Sequence, residues 1–216
     1  MSDEERERIY QQVDNLEVSH PTKNPLMPFE FPMIVRLLYG CGLRFGETLA
    51  LKMKDVDLIG GILMMRHAKG DKQRWVPMHP LLTKILARYC LAMGVVGVPD
   101  AWAFPVPGQE QSMTPKDAQH GFEKILRLAN VSLPGRKKQE CGPCLYCLRH
   151  VFVLKSFAAA EKAGRTIDDS VPYVSLYLGH DSLQETEKYM KFSSELFPDA
   201  LALFSDYSAG VLPELA

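Results

Sequence analysis

The sequence predicts an α+β protein that is mainly helical and contains one small antiparallel sheet of three strands. Three observations predict this class. Apolar residues recur at helical spacing before residue 56, most clearly over Phe31–Leu43. Short β-prone runs separated by glycine-containing turns follow between residues 56 and 77. Helical spacing returns from Pro80 onward.

The N-terminal part is predicted to be helical. Ser2 followed by Glu5 is a capping-box pattern, which starts a helix that runs to about Val13. Glycine readily takes the left-handed conformation after a last helical turn, so Gly42 is expected to end the next helix. The other predicted segments here are a connector with Pro21, Pro25 and Pro28, the helix Phe31–Leu43 and a short helix Phe45–Leu51.

The predicted sheet lies in the middle of the chain. Its strands are Val56–Ile59, Ile62–Arg66 and Arg74–Pro77. Gly60-Gly61 predicts the turn between the first two strands, and Gly70-Asp71 predicts the turn between the last two. These turns are short, so neighbouring strands are expected to pair antiparallel.

The C-terminal half is again predicted to be helical. A helix over Pro80–Met93 is followed by a loop over residues 94–113 that contains several Pro and Gly. Thr114 followed by Pro115 is a cap pattern that starts a helix to about Ala129. The remaining predictions are a basic loop Pro134–Pro143, a helix Cys144–Lys162 closed by Gly164, and helices Val171–Leu178, Ser182–Met190 and Phe197–Tyr207.

Length and composition fit one globular domain. The chain has 216 residues, of which 46% are hydrophobic, and this is enough for a core. No apolar run reaches the roughly 18 residues of a membrane span. The charged N-terminus contains no apolar segment of the kind found in signal peptides. We therefore expect a cytoplasmic protein that does not bind a membrane.

The net charge of −1 gives no overall attraction to nucleic acids. Binding to phosphate depends on local clusters of Lys and Arg, and the middle of the chain contains such clusters. The candidate phosphate-binding residues in them are Lys72, Arg74, Arg136, Lys137 and Lys138.

Three of the five cysteines lie close together, and with a histidine they have a spacing that metal ligands use: Cys141, Cys144, Cys147 and His150. The chain offers no second Cys-x-x-Cys pair to complete such a site. Free thiols are therefore the preferred interpretation, no metal or cofactor is expected, and a metal- or redox-responsive regulator remains an alternative.

Four separated segments carry the residues suited to catalysis. The first is Gly42-Leu43-Arg44-Phe45-Gly46-Glu47 and the second is Lys69–Pro77. The third is Tyr146-Cys147-Leu148-Arg149-His150, and the fourth is Leu178-Gly179-His180, with Tyr189 nine residues after that histidine. In this order the set resembles the tyrosine recombinase (phage integrase) family over nearly the whole chain. The resemblance implies the catalytic domain of that family, which cuts and rejoins DNA.

The resemblance implies a role for each residue. Arg44 and Arg149 correspond to the two phosphate-binding arginines, whose planar guanidinium groups stabilise negative charge on the phosphate oxygens. Tyr189 corresponds to the nucleophile that forms a 3′-phosphotyrosyl bond. Lys69 corresponds to the general acid for the leaving 5′ oxygen, with Lys72 as the nearby alternative.

Two further positions complete the predicted site. His180 is expected to bind the scissile phosphate or to assist proton transfer, and Glu47 is expected to support the local fold. Tyr146 stands where the family usually has a histidine. A tyrosine hydroxyl donates a hydrogen bond but is not a base near neutral pH, so we expect activity to be retained at a lower rate.

The resemblance also implies partners and domain organisation. We expect double-stranded DNA as the substrate, a tetramer on DNA, and an origin in a mobile genetic element. Residues 1–216 are expected to form a single catalytic domain without the core-binding domain that precedes it in the family. The segment of about residues 196–216 is expected to pack on a neighbouring subunit or on its own domain. A non-catalytic DNA-binding module with the same fold is the other alternative, suggested by Tyr146.

Overall fold

The computed structural model describes residues 3–17, 24–66, 73–131 and 144–186. In these ranges the chain forms seven α-helices of five or more residues, one short 3-10 helix (Met53–Asp55), three strands and a further helical turn at residues 183–186. The helices are α1 (Asp3–Asp14), α2 (Met27–Cys41), α3 (Phe45–Leu49), α4 (Pro80–Ala92), α5 (Pro115–Leu128), α6 (Leu145–Lys162) and α7 (Ile167–Leu178). The strands are β1 (Val56–Asp57), β2 (Ile62–Met65) and β3 (Arg74–Pro77). The predicted class, mainly helical with a three-stranded antiparallel sheet, is confirmed.

The sheet has the order β1-β2-β3 and is antiparallel throughout. Leu63 pairs with Val76, and both side chains are fully buried. β1 is shorter than predicted because Asp57 Oδ1 accepts the N–H groups of Ile59 and Gly60, which starts the turn early. The register pairs Met65 with Arg74, which places Arg74 at the first position of β3.

Helix α2 is the centre of the core and contacts α1, α4 and α6. It begins at Met27 instead of Phe31, because Pro28 stands in the first helical turn, where its missing N–H needs no partner. It ends as predicted at Gly42, which is left-handed with φ of 58°.

Helices α6 and α7 pack against each other beside α2. α7 begins four residues before the predicted Val171, because the Thr166 hydroxyl accepts the N–H of Asp169 and caps the helix there. It ends at Gly179, left-handed with φ of 66°, and the chain is helical again over residues 183–186.

Several predicted features lie outside the described residues: the Ser2 cap, the Gly70-Asp71 turn, the loop Pro134–Pro143 and the helix Phe197–Tyr207. Among the helices that are described, none is long and apolar enough to cross a membrane.

Candidate active site

The C-terminus of α7 brings three arginines together. Its last carbonyls have no partner within the helix and carry the negative end of the helix dipole, so they favour cationic donors. Each of three consecutive carbonyls accepts a hydrogen bond from an arginine of a different segment. The pairs are Arg74 Nε with Tyr177 O at 3.2 Å, Arg149 Nη2 with Leu178 O at 3.0 Å, and Arg44 Nη2 with Gly179 O at 2.7 Å.

Two glycines make this convergence possible. Gly42 and Gly179 both follow a helix and both have positive φ, which other residues rarely adopt. The carbonyl of Gly42 accepts a hydrogen bond from Arg149 Nη1. A Cβ on Gly42 would overlap the ring of Phe152, and one on Gly179 would lie 2.9 Å from Arg74 Cδ. The glycines of the first and fourth motifs are therefore required by the pocket itself.

Glu47 binds two of the arginines. Arg74 donates Nη1 to Oε1 at 2.9 Å and Nη2 to Oε2 at 2.6 Å, while Arg44 Nη1 donates to Oε1 at 2.9 Å. The Glu47 side chain is only 7% exposed. Burial would raise the pKa of Glu47, but the hydrogen bonds and charge of Arg74, together with the bonds from Arg44, hold it below its usual value.

Arg149 and His180 form the other part of the pocket. Arg149 is 1% exposed, and its Nη2 lies 3.0 Å from His180 Nε2. On the other side of the ring, His180 Nδ1 lies 2.6 Å from the hydroxyl of Thr186. Burial, followed by the charge of Arg149, lowers the pKa of His180 to about 4, so this imidazole is neutral at pH 7.

Tyr146 lies in the first turn of α6, one turn before Arg149. Its side chain is half exposed, and its ring contacts that of His150 edge-on, with the centroids 4.7 Å apart. Burial lowers the pKa of His150, and the positive charge of Arg149 lowers it further. The hydrogen bond with the carbonyl of Tyr146 has the opposite effect and raises this pKa, but it is outweighed.

Two members of the cysteine cluster are in contact. Cys144 occupies the N-cap position of α6, and its sulfur lies 3.4 Å from that of Cys147 in the first turn. The hydrogen bond with Cys144 and burial raise the pKa of the Cys147 thiol. Cys141 lies outside the described residues, and within those residues no group of three or more His, Cys, Asp or Glu side chains is arranged to hold a metal.

The pocket thus unites Arg44, Arg74, Arg149 and His180, which come from four separated segments. Arg74 was predicted to contact DNA; its side chain is 9% exposed and is bound to Glu47, and the DNA contact stays a prediction. Other predicted residues lie outside the described ranges: Lys69, Lys72, Arg136, Lys137, Lys138 and Tyr189. Sequence reasoning missed Thr186, because a single threonine in a helical pattern gives no signal of its own.

The three segments that meet at α7 are those of the sequence motifs, in the same order. A model of the phage integrase family matches residues 1–195. The chain belongs to the phage integrase family. Tyrosine recombinase XerC of Methylobacterium sp. strain 4-46 is 32% identical over 161 residues, which are 74% of this chain and 45% of that protein. The chain spans about half the length of the curated relatives it matches.

Solved structures with the phage integrase fold resemble the whole described architecture. The crystal structure of XerA recombinase has a TM-score of 0.68 at 22% identity, over 96% of this chain and 62% of that one. The XerH site-specific recombinase, solved as a post-cleavage complex with its palindromic difH substrate, has a TM-score of 0.65 at 21% identity. That match covers 95% of this chain and 52% of XerH. At these identities the likeness establishes the fold.

Proposed function

We propose that this chain cuts and rejoins double-stranded DNA as part of a site-specific recombinase, with Tyr189 forming a temporary 3′-phosphotyrosyl bond. The observation that carries the proposal is the convergence of Arg44, Arg149 and His180 at the C-terminus of α7. Their order in the chain is that of the phage integrase family, whose model matches residues 1–195. The XerH complex with difH DNA supports DNA as the substrate class.

The proposed cleavage of the phosphodiester follows from the positive charges of the arginines and the negative charge of the phosphate. Arg44 and Arg149 would donate to the non-bridging oxygens of the scissile phosphate and stabilise the charge that develops there. A tyrosine hydroxyl in water has a pKa of about 10, and guanidinium groups close to Tyr189 would favour its phenolate. Lys69 would protonate the leaving 5′ oxygen. The phosphotyrosyl bond retains the energy of the phosphodiester, so rejoining needs no nucleotide cofactor.

The proposal extends to partners and location. Lys72 and the group Arg136-Lys137-Lys138 would contact the DNA backbone, and residues 1–216 alone would bind DNA weakly and in a salt-sensitive manner. We also propose that the protein assembles into a tetramer on DNA, with residues of about 196–216 packed on a neighbouring subunit. The proposed origin is a mobile genetic element, and the proposed place of action is the cytoplasm. Within this proposal, residues 1–216 act as a single catalytic domain.

The test is covalent trapping. Labelled duplexes from the DNA that flanks the coding region are nicked beside each candidate cleavage position, so that the cleaved fragment diffuses away and rejoining fails. We expect a protein–DNA adduct that survives denaturation. Tyr189→Phe should abolish the adduct, whereas Tyr173→Phe, which changes an exposed ring on α7, should leave it unchanged.

One observation favours a second function, a non-catalytic DNA-binding module: Tyr146 replaces the histidine usual in the family. Binding to the flanking DNA without any adduct from the intact protein would overturn the first proposal and support this one.

A further inference from the structure

The start of α6 differs chemically from the starts of α5 and α7. Both of those helices begin with a threonine at the N-cap position and an aspartate three residues later, and the two side chains hydrogen-bond at 2.6 Å: Thr114 with Asp117, and Thr166 with Asp169. The same two positions of α6 hold Cys144 and Cys147. Two thiols therefore stand where the other helices have a polar capping pair.

The backbone of the first turn holds these two thiols together. Cys144 is extended, with φ of −141° and ψ of 164°, and its carbonyl accepts the N–H of Cys147 at 2.9 Å. A turn closed by this bond keeps its two end Cα atoms within about 7 Å, close to the range that a disulfide spans. The sulfurs are 3.4 Å apart, so they need to approach by only about 1.4 Å to form a bond.

The two cysteines are also accessible and differ in reactivity. Both are partly exposed, whereas Cys41 and Cys90 are buried in the core. The hydrogen bond with Cys144 and burial raise the pKa of the Cys147 thiol, so Cys147 keeps its proton. A thiolate is favoured at a helix N-terminus by the positive end of the helix dipole, and this is the position of Cys144. Cys144 is therefore the attacking sulfur.

We propose that Cys144 and Cys147 form a reversible disulfide by exchange with low-molecular-weight disulfides of the glutathione type, and that this bond slows DNA cleavage. The effect on cleavage rests on the proposed function, whereas the formation of the disulfide does not.

The expected effect on cleavage follows from the position of the pair beside the pocket. Tyr146 lies between the two cysteines, and Arg149 follows Cys147 by two residues. The contacts of Arg149 with Gly42 O and Leu178 O belong to the state in which both cysteines are thiols. Drawing the two sulfurs together shifts the turn that precedes Arg149, and a misplacement of about 1 Å in an active site can lower a rate by about 100-fold. The dithiol state is therefore the active one.

The exchange is balanced with the small disulfide as the oxidant. The Cys144 thiolate attacks one of its sulfurs, the S–S bond breaks, and the leaving thiolate takes the proton of Cys147. The Cys147 thiolate then attacks the Cys144 sulfur of the mixed disulfide and releases the second small thiolate, which takes from water the proton that Cys144 gave up. Two protein thiols lose two electrons, and one small disulfide becomes two thiols.

The first measurement identifies the disulfide without any reaction on DNA. Trypsin cleaves after Lys138 and Arg149, so one peptide contains Cys141, Cys144 and Cys147. In Cys141→Ser the proposed pair is the only pair in that peptide. After oxidised glutathione we expect the peptide to lose about 2 Da, the mass of two thiol hydrogens, and dithiothreitol to restore it. A pair that stays reduced, or a bond from Cys141 to Cys144 in the intact protein, would overturn the proposal.

The second measurement compares adduct formation by the oxidised and the reduced protein. We expect the oxidised form to be about tenfold slower and dithiothreitol to restore the rate. Serine is a favourable N-cap residue, so Cys144→Ser should fold and should keep the rate of the reduced protein with or without the oxidant. Cys90→Ala, which changes a buried thiol on α4, should retain the full response.

The outcomes separate the two parts of the proposal. A complete disulfide with an unchanged rate would refute its effect on cleavage. If neither form of the protein yields an adduct, the proposed function and the effect on cleavage fail together, while the peptide mass still decides whether the disulfide forms.

Discussion

The two arginine clusters of the pocket are built from different partners. In one, the carboxylate of Glu47 binds Arg74 and Arg44. In the other, Arg149 donates to backbone carbonyls and lies against His180, an imidazole with no charge at pH 7.

This difference distinguishes an arginine whose charge stabilises the fold from an arginine whose charge acts on the substrate. The carboxylate cancels one of the two positive charges beside it, and its bidentate bond to Arg74 holds β3 on α3. The carbonyls and the neutral imidazole that contact Arg149 orient it through their dipoles. We therefore infer that Arg74 mainly supports the pocket, and the order of the motifs assigns the phosphate contact to Arg149.

The largest effect should come from Arg149→Lys. Lysine keeps the charge but has one ammonium group, which cannot bond Gly42 O, Leu178 O and His180 together. We expect adduct formation to fall by about 1000-fold, which corresponds to about 4 kcal/mol of lost transition-state stabilisation. Adduct assays measure the rate, and thermal unfolding monitors the fold.

The control for this prediction is Arg74→Lys. If Arg74 acts by holding Glu47, this change should slow adduct formation by about tenfold or less. Equal losses at the two positions would contradict the division between a supporting and a catalytic arginine.

Stability should respond most to Glu47→Ala. Removing the carboxylate leaves two largely buried guanidinium groups without their anion, and we expect the free energy of unfolding to fall by about 3 kcal/mol. Denaturant unfolding of Glu47→Ala, Arg74→Ala and the double variant gives the coupling, expected at about 1–3 kcal/mol. Additive losses would show that the pair is not coupled.

The same contact predicts a pH dependence. The pKa of Glu47 is lowered by folding, so its stabilising contribution is present above the ordinary carboxyl range. The contribution should be lost as the pH falls through the folded pKa. The difference in unfolding free energy between the intact protein and Glu47→Ala should therefore shrink in acid.

Glu30 contrasts with Glu47, because folding raises its pKa instead of lowering it. It is fully buried in α2, where Asn24 donates to Oε2 at 2.6 Å and, among the described residues, Oε1 has no hydrogen-bond partner. Burial raises the pKa of Glu30 to about 7 despite the bond from Asn24. Its contribution to stability is present below the unfolded pKa and is lost as the pH rises to about 7.

Glu30→Gln should accordingly stabilise the protein at high pH. We expect the free energy of unfolding to rise by about 2 kcal/mol at pH 8 and to change much less at pH 4, where the glutamate is largely protonated in both states. Urea unfolding at the two pH values measures this. The same gain at both pH values would mean that charge is not the cause.

The sequence predicted which residues meet in the pocket better than it predicted their contacts. The order of the motifs singled out Arg44, Arg149 and His180, and glycine at position 42 correctly ended α2. The bond between Arg44 and the carbonyl of Gly179 joins residues 135 positions apart, and tertiary packing alone creates it. Thr186 was missed for the same reason.

The starts of two helices were wrong for a local reason. Pro28 was assigned to a connector, and the cap at Thr166 was not recognised, so both helices were predicted to start later than they do. Pro28 stands in the first turn, where proline is tolerated, and Thr166 caps α7 ahead of Pro172. The predicted bounds of β3, Arg74–Pro77, were correct.

The smallest effect should come from Tyr146→His, which restores the residue usual in the family. A histidine here would supply the basic nitrogen that the tyrosine hydroxyl lacks while leaving the contacts of Arg44, Arg149 and His180 in place, so adduct formation should rise by at most about threefold. Tyr146→Phe, which removes only the hydroxyl, should stay within the same limit. A gain of about tenfold or more with histidine would show that proton removal limits cleavage in the intact protein.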